Sequence, residues 1–315
     1  MYDEIKHLSC VQRWDANESA FFARELESIK SKVYGIAYPN LRARDFVPTD
    51  GSAGVGATSV TYQQFDRAGR ARIVSPNAKD IPRVDVFGAE FNRPVRPWAD
   101  AYGWTVMEAQ SAAMAKRNLN SMRASAARRA IEEGLDETAA VGAPDFGIAS
   151  GLLNSAAVPS QSVPNGAGGF PQWTTKTPDE ILADVSLAIQ RIVAASLGVE
   201  YPNTVIIPDA EHAYIATTPR SATSDTTILE FILRSFPRIQ AVEPWYRCTG
   251  IGAGSSDRMV VYDRSPDKLS QDVTQEFTQL PVQEQGLELI INCFAQTAGT
   301  MLPYPLSIDY SDDIG

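Results

Sequence analysis

From Thr105 to Glu133 the chain runs without a glycine or a proline. At 1.5 Å per residue, about 29 residues of helix would span roughly 43 Å. A helix of that length crosses a whole small domain, so the rest of the chain has to be arranged along it. Its apolar positions are Val106, Met107, Ala113, Met114, Leu119, Met122, Ala126, Ala130 and Ile131. They form a thin stripe dominated by alanine, narrower than a bundle helix would show, and small side chains let a partner approach closely. Gly134 is the expected stop. The opposite face carries Lys116, Arg117, Arg123, Arg128 and Arg129. These five could meet packaged nucleic acid through phosphate contacts or pair with neighbouring carboxylates, and the second reading is slightly favoured.

Before this helix lies a long extended excursion, residues 58–92. TSVTYQQF alternates in part, DRAG reads as a turn, RARIV resumes, SPNAKDIP breaks the pattern and RVDVFGAEF alternates again. That describes two strands with a polar tip, and an isolated hairpin is marginally stable in water. The excursion is therefore expected to pack on another subunit. RPVRPWADAYGW, with two prolines and two tryptophans, leads into the helix.

Residues 1–50 read as an arm. Asn17 could cap a helix from Glu18 to about Tyr34, and the remainder lacks a sustained period. After the long helix, GAPDFGIASGLLN is a glycine-punctuated exit. Thr177, Pro178, Asp179 and Glu180 announce an amphipathic helix ended by Gly198. TVIIP is a short buried strand, a helix starts near Ser224, and RIQAVEPWYRC and RMVVYD are strands. This is a compact α+β arrangement. Residues 268–315 return to strand, with LELIINCFAQTAG the clearest, and end in an acidic tail, SDDIG, read as exposed.

The formal net charge is −10, which disfavours a dedicated nucleic-acid reader. Residues 61–131 nevertheless hold twelve basic against six acidic side chains, so a basic extension sits on an acidic body. Such an extension could dock on the body of an identical neighbour. Arg67, Arg70, Arg72, Lys79 and Arg83 are the candidate intersubunit contacts. Cys10, Cys248 and Cys293 are too few and too far apart for a metal site or a disulfide framework. The N-terminus has no signal pattern, and the strongest apolar run, ELIINCFA, is far shorter than the roughly 20 residues of a membrane span.

No motif supports catalysis, a cofactor or a metal. GIGAGSSD (250–257) lacks the Gly-Lys-Ser/Thr ending of a phosphate loop and lies between strands, so a flexible loop is the better reading. His212 beside Asp209 and Glu211 has no Gly-x-Ser-x-Gly nucleophile elbow to serve, and reads as a surface histidine at a turn. Asp312 and Asp313 would need further oxygen ligands to hold a cation, and a solvated tail is the default. Lys79, near the excursion's tip, reads as a solubilising charge.

The order of parts resembles the major capsid proteins of tailed bacteriophages, with the Hong Kong 97-type fold shared by encapsulins. GIASGLLN is similar to the turn after that family's spine helix, YPNTVIIPDAEHAYIATT resembles its strand, proline turn and short helix, and LPYPLSIDYSDDI resembles the end of some phage capsid chains. The resemblance implies an α+β chain divided into an N-terminal arm (1–50), an E-loop (51–92), a P-domain (93–165, spine helix 105–133), an A-domain (166–267) and P-domain return strands with an acidic C-terminus (268–315). It implies a non-enzymatic shell protein forming pentamers and hexamers around double-stranded DNA. Its expected partners are further copies of itself, a separate scaffolding protein, a portal and a decoration protein, with assembly in the bacterial host cytoplasm. The alternatives are an encapsulin-like compartment shell and, from another class, a nucleotide-binding enzyme using the GIGAG loop.

Overall fold

A fourteen-residue strand, β11 (Glu288–Met301), is the axis of the molecule. The computed structural model describes residues 38–73, 81, 83–115, 119–221, 223 and 225–315. Residues 38–40 have no regular structure, and the unit from Leu41 to Gly315 holds every element below, beginning with the one-turn helix α1 (Ala43–Phe46). The expected arm helix Glu18–Tyr34, Cys10, Lys79, Lys116 and Arg117 lie outside the described residues.

On one side β11 pairs antiparallel with β9 (Ser270–Gln279) and, nearer its start, with β10 (Gln283–Gln285). On the other side it pairs with β4 (Arg96–Thr105), from Glu288↔Thr105 to Thr297↔Arg96. The two-residue β1 (Thr49–Asp50) adds a parallel edge to β9. β4 occupies the segment expected only to lead into the helix. Its prolines obscured the strand, yet among the described residues β4 pairs with β11 alone, and a free edge tolerates proline.

The spine consists of α2 (Val106–Met114) and α3 (Leu119–Val141). Thr105 caps α2: its Oγ1 accepts from Glu108 N–H at 3.1 Å, and the Glu108 carboxylate accepts from Thr105 N–H at 3.3 Å. α3 runs straight through Gly134, where the sequence suggested a stop. A Cβ at Gly134 would lie 2.7 Å from the Trp98 ring, so this glycine serves close approach to β4. The actual stop is Gly142, with φ of +78° and its N–H bonded to Thr138 O at 3.0 Å. Ala127, Ile131 and Leu135 of α3 pack on Ile291, Cys293 and Ala295 of β11. The C-terminal half of α3 is thus the buried half.

A second sheet has the order β5 (Ser160–Ser162), β12 (Ile308–Asp312), β8 (Arg258–Tyr262), β6 (Thr204–Ile207), β7 (Ala241–Pro244). Alternation sorts its side chains to two cores. Val205, Ile207, Met259 and Val261 face α4 (Pro178–Ala195), α5 (Asp209–Thr217) and α6 (Ile228–Ser235). Ile206, Val260, Tyr262, Ile308 and Tyr310 face a core shared with Ala139, Ala140, Leu152 and Leu153. Burial on both faces explains why β6 and β8 are apolar runs rather than alternating ones. The start of α4 is as expected, with the Glu180 carboxylate accepting from Thr177 N–H at 2.7 Å. α6 begins after Thr227, whose Oγ1 accepts from Glu230 N–H at 3.3 Å.

Two expectations fail at the ends of the unit. Residues 41–50, read as part of the arm, enter the shared core: the Phe46 ring packs tilted against Trp245, centroids 4.9 Å apart, and its carbonyl accepts from Tyr262 Oη at 2.8 Å. The acidic tail is not exposed. Asp312 and Ile314 are buried, because the last strand lies inside the second sheet, between β5 and β8, instead of joining the strands that precede it.

Candidate assembly surface

The β2–β3 ribbon departs from this body. β2 (Ser59–Ala68) and β3 (Asp85–Pro94) pair without interruption from Ser59↔Pro94 to Ala68↔Asp85. Asp66, Arg67 and Ala68, the DRAG residues expected to turn, are still in the ladder, and residues 71–73 form no strand. The root of the ribbon is anchored. Val60 and Tyr62 pack toward Val95, Ala298 and Met301, and Tyr62 stacks on Phe91 with ring centroids 5.0 Å apart. Beyond Gln64 every described side chain is exposed up to β3's last two residues.

That exposed stretch is not polar. Phe65 is 69% exposed, Phe87 61% and Ile73 fully, with Ile81, Val84 and Val86 similarly open. Phe65 lies across Gly88, its register partner, where a Cβ would come within 3.0 Å of the ring. Among the described residues the ribbon's two outer edges pair with no further strand, and open apolar side chains on such edges are the kind of surface that proteins usually cover. Arg67, Arg70, Arg72 and Arg83 are exposed along the same ribbon and loop. Arg67, Arg70 and Arg83 make no ion pair among the described residues.

The helix arginines behave differently. Arg123 donates to Gly103 O and pairs with Glu108 at 3.0 Å. The hydrogen bond from Arg123, then that from Thr105 N–H, holds the Glu108 carboxyl below its ordinary range. Arg128 is 3.9 Å from Glu132 and lies over the Phe277 ring at 5.7 Å. Arg129 is half-buried. Arg123 and Arg128 therefore pair with carboxylates of the same chain.

Four of the buried or half-buried ion pairs among the described residues tie separate parts of the body together. Arg191 of α4 grips Asp309 of β12 through two bonds of 2.8 and 2.6 Å. Arg247 meets Asp136 of α3 at 2.7 Å, and Asp136 also accepts from Ala43 N–H at 2.7 Å, which ties residues 41–47 to the spine. Lys176 meets Asp184 at 2.6 Å. Arg258 of β8 meets Asp312 of β12 at 2.6 Å. Burial pushes the Asp312 carboxyl up, but hydrogen bonds from Arg258, Ser160 and Ala253 N–H outweigh it and leave the group below its ordinary range. None of these pairs was visible in the sequence, because each joins residues of ordinary type from separate elements or turns.

The remaining motifs resolve as structural features. In the GIGAGSSD loop, Ala253 N–H donates to the Asp312 carboxylate at 3.1 Å and Gly250 N–H to Asp257 at 2.8 Å. Amides that a phosphate would need are thus turned onto the chain's own carboxylates. His212 lies on α5, not at a turn, and is half-buried. Among the described residues no three His, Cys, Asp or Glu side chains converge as metal ligands. Among them, too, no helix is long and apolar enough to cross a membrane. Cys248 and Cys293 are buried free thiols, and burial pushes the Cys293 thiol up.

The arrangement of ribbon, spine helix and two sheets matches known structures over nearly its whole length. The capsid of Myoviridae phage XM1 covers 94% of this chain and 99% of its own, at 17% identity and a TM-score of 0.82. A Mycobacterium phage Bobi structure covers 92% of this chain and 95% of its own, at 16% identity and a TM-score of 0.62. A virus-like particle from Pyrococcus furiosus covers 85% and 91%, at 14% identity and a TM-score of 0.50. No curated protein matches the sequence. The fold is the Hong Kong 97-type capsid fold. The family model described as "Major capsid protein" matches residues 69–314, from the ribbon's loop to the buried end of the chain. With more than three-quarters of its length matched, the chain belongs to the major capsid protein family, the coat proteins that form the phage head shell.

Proposed function

We propose that this chain assembles into pentamers and hexamers that close as an icosahedral head around phage double-stranded DNA, each subunit's β2–β3 ribbon lying over a neighbour. The observation that carries this reading is the ribbon itself. It exposes Phe65, Phe87, Val86 and Ile73 to water, and pairs its arginines Arg67, Arg70 and Arg83 with nothing described in its own chain. An acidic body on an identical subunit offers both the apolar cover and the opposite charge. Assembly takes place in the host cytoplasm with a separate scaffolding protein. A portal and a decoration protein complete the particle, and the DNA is met by unspecific contacts.

Arg70→Glu together with Arg72→Glu tests the docking. Both side chains are exposed, so the unassembled chain keeps its circular dichroism and melting temperature while shells fail to form in sedimentation. Shells in normal yield would count against the reading. An encapsulin-like compartment shares the fold, and the similarity to the Pyrococcus furiosus particle keeps that alternative in view. The content of particles recovered from the native host separates the two: nucleic acid for a phage head, a protein cargo for a compartment.

A further inference from the structure

Glu211, in the first turn of α5, is the exception among the buried acids. Every other buried acidic side chain among the described residues meets a lysine or an arginine or, at Asp272, the Ser270 hydroxyl. Glu211 is 6% exposed, makes no ion pair, and has its Oε2 buried without a hydrogen-bond partner. A second carboxylate reaches the same place from the GIGAGSSD loop. Asp257, half-buried, takes Gly250 N–H on its Oδ1 at 2.8 Å, and its Oδ2 accepts from no described residue. A Cβ on Gly315 would collide with that Oδ2 and would lie 2.7 Å from Glu211 Oε1. The two carboxylates therefore converge, one from α5 and one from the loop, on a point beside the end of the chain. Asp209, exposed in the same turn of α5, adds a further negative charge, and among the described residues no lysine or arginine pairs with any of the three.

We propose that Glu211 and Asp257 form a binding site for a hard divalent cation of the magnesium and calcium class. A buried carboxylate without a partner is costly, and a second one facing it with no donor between adds repulsion. A cation between them supplies the charge that lysine and arginine supply to the other buried acids. Carboxylate oxygens are the ligands such cations take. Only two side chains meet here, so water completes the coordination, the manner in which magnesium is commonly held by one or two carboxylates. The half-buried Asp257 and the exposed Asp209 leave the site open to the ion and its water from the surface. Ile314 N–H donates to Asp257 O at 3.4 Å, so the ion would fasten α5, the loop and the end of the chain to one another. The site is independent of what the ribbon does, and it is measurable in the unassembled chain.

Thermal unfolding of the full-length chain at pH 7.5 and constant ionic strength, in magnesium chloride, in calcium chloride and in chelator, tests it. Wild type melts higher in either metal than in chelator, and the gain follows a one-site binding curve. At a metal concentration a hundred times the dissociation constant the unfolding constant falls roughly a hundredfold. In chelator Glu211→Gln is the more stable chain, and neither it nor Asp257→Asn responds to metal. Asp145→Asn, which removes an exposed acid elsewhere, responds as wild type does. A wild type indifferent to both metals would overturn the site and leave the two carboxylates to share a proton instead. A full metal response in Glu211→Gln would overturn it as well, by showing that the ion binds elsewhere.

Discussion

Arg258 and Asp312 stand fifty-four residues apart and meet in the centre of the second sheet, both side chains almost wholly buried. Removing one partner strands the other's charge. Arg258→Met should therefore cost about 3–5 kcal/mol in chemical denaturation of the unassembled chain, and adding Asp312→Asn should recover part of the loss. Equal loss in single and double variants would show that the pair's charges are not what matters. Glu211 presents the opposite case. It is 6% exposed, its Oε2 has no hydrogen-bond partner, and a side chain at Gly315 would meet both its carboxylate and that of Asp257. Burial, then Asp257 and Asp209, push its carboxyl up despite one backbone bond. A raised folded value means stability present below the ordinary carboxylate range and lost as pH rises through the folded value. Glu211→Gln should accordingly be more stable than wild type at pH 7.5, with the difference vanishing toward pH 4. A variant less stable at every pH would refute this. At this scale little was legible: SDDIG looks like a solvated tail until Arg258 is placed against it. The candidate arginines of the ribbon were chosen on charge alone, and the structure places the described ones on its exposed surface without naming what they touch.

Elements with strong local signals were legible. α4 declares itself by Thr177-Pro178 and Glu180, and β6, β8 and β11 by apolar runs of strand length. Those misread were decided by tertiary contact. DRAG has turn composition, but Asp66, Arg67 and Ala68 are held in the ladder by Val86, Phe87 and Asp85 opposite. Pro97 suggested a linker, yet it sits in a strand whose outer edge needs no donor. Gly134 suggested a helix end, yet it is where Trp98 crosses α3. Propensity alone would make Gly134→Ala stabilising by about 1 kcal/mol. The crossing reverses the sign, since the new methyl would sit 2.7 Å from the indole, and such overpacking costs about 1–3 kcal/mol. Thermal unfolding of Gly134→Ala should show a lower melting temperature, with Trp98→Leu restoring tolerance of the alanine. A higher melting temperature for the single variant would mean that the ring is free to move.

For the whole molecule, the fold was legible as an order of parts: excursion, long helix, α+β body, returning strands. What the order did not contain is the crossing of the last strand into the second sheet. β12 pairs with β5 and β8, so the end of the chain closes the same sheet that α4, α5 and α6 cover. The body has its own cores and buried ion pairs within one chain, whereas the ribbon beyond its root has no core, exposing Phe65, Phe87 and Val86 and leaving Arg67, Arg70 and Arg83 without an ion pair among the described residues. That division, a finished body and an unfinished ribbon, is the central claim, and electron cryo-microscopy of the purified full-length chain, with and without a scaffold, tests it most directly. Closed shells with five- and six-fold capsomers, in which density for residues 59–94 lies over the adjacent subunit, are the predicted result. Compact monomers at high concentration under both conditions, or shells whose ribbons fold back on their own bodies, would contradict it.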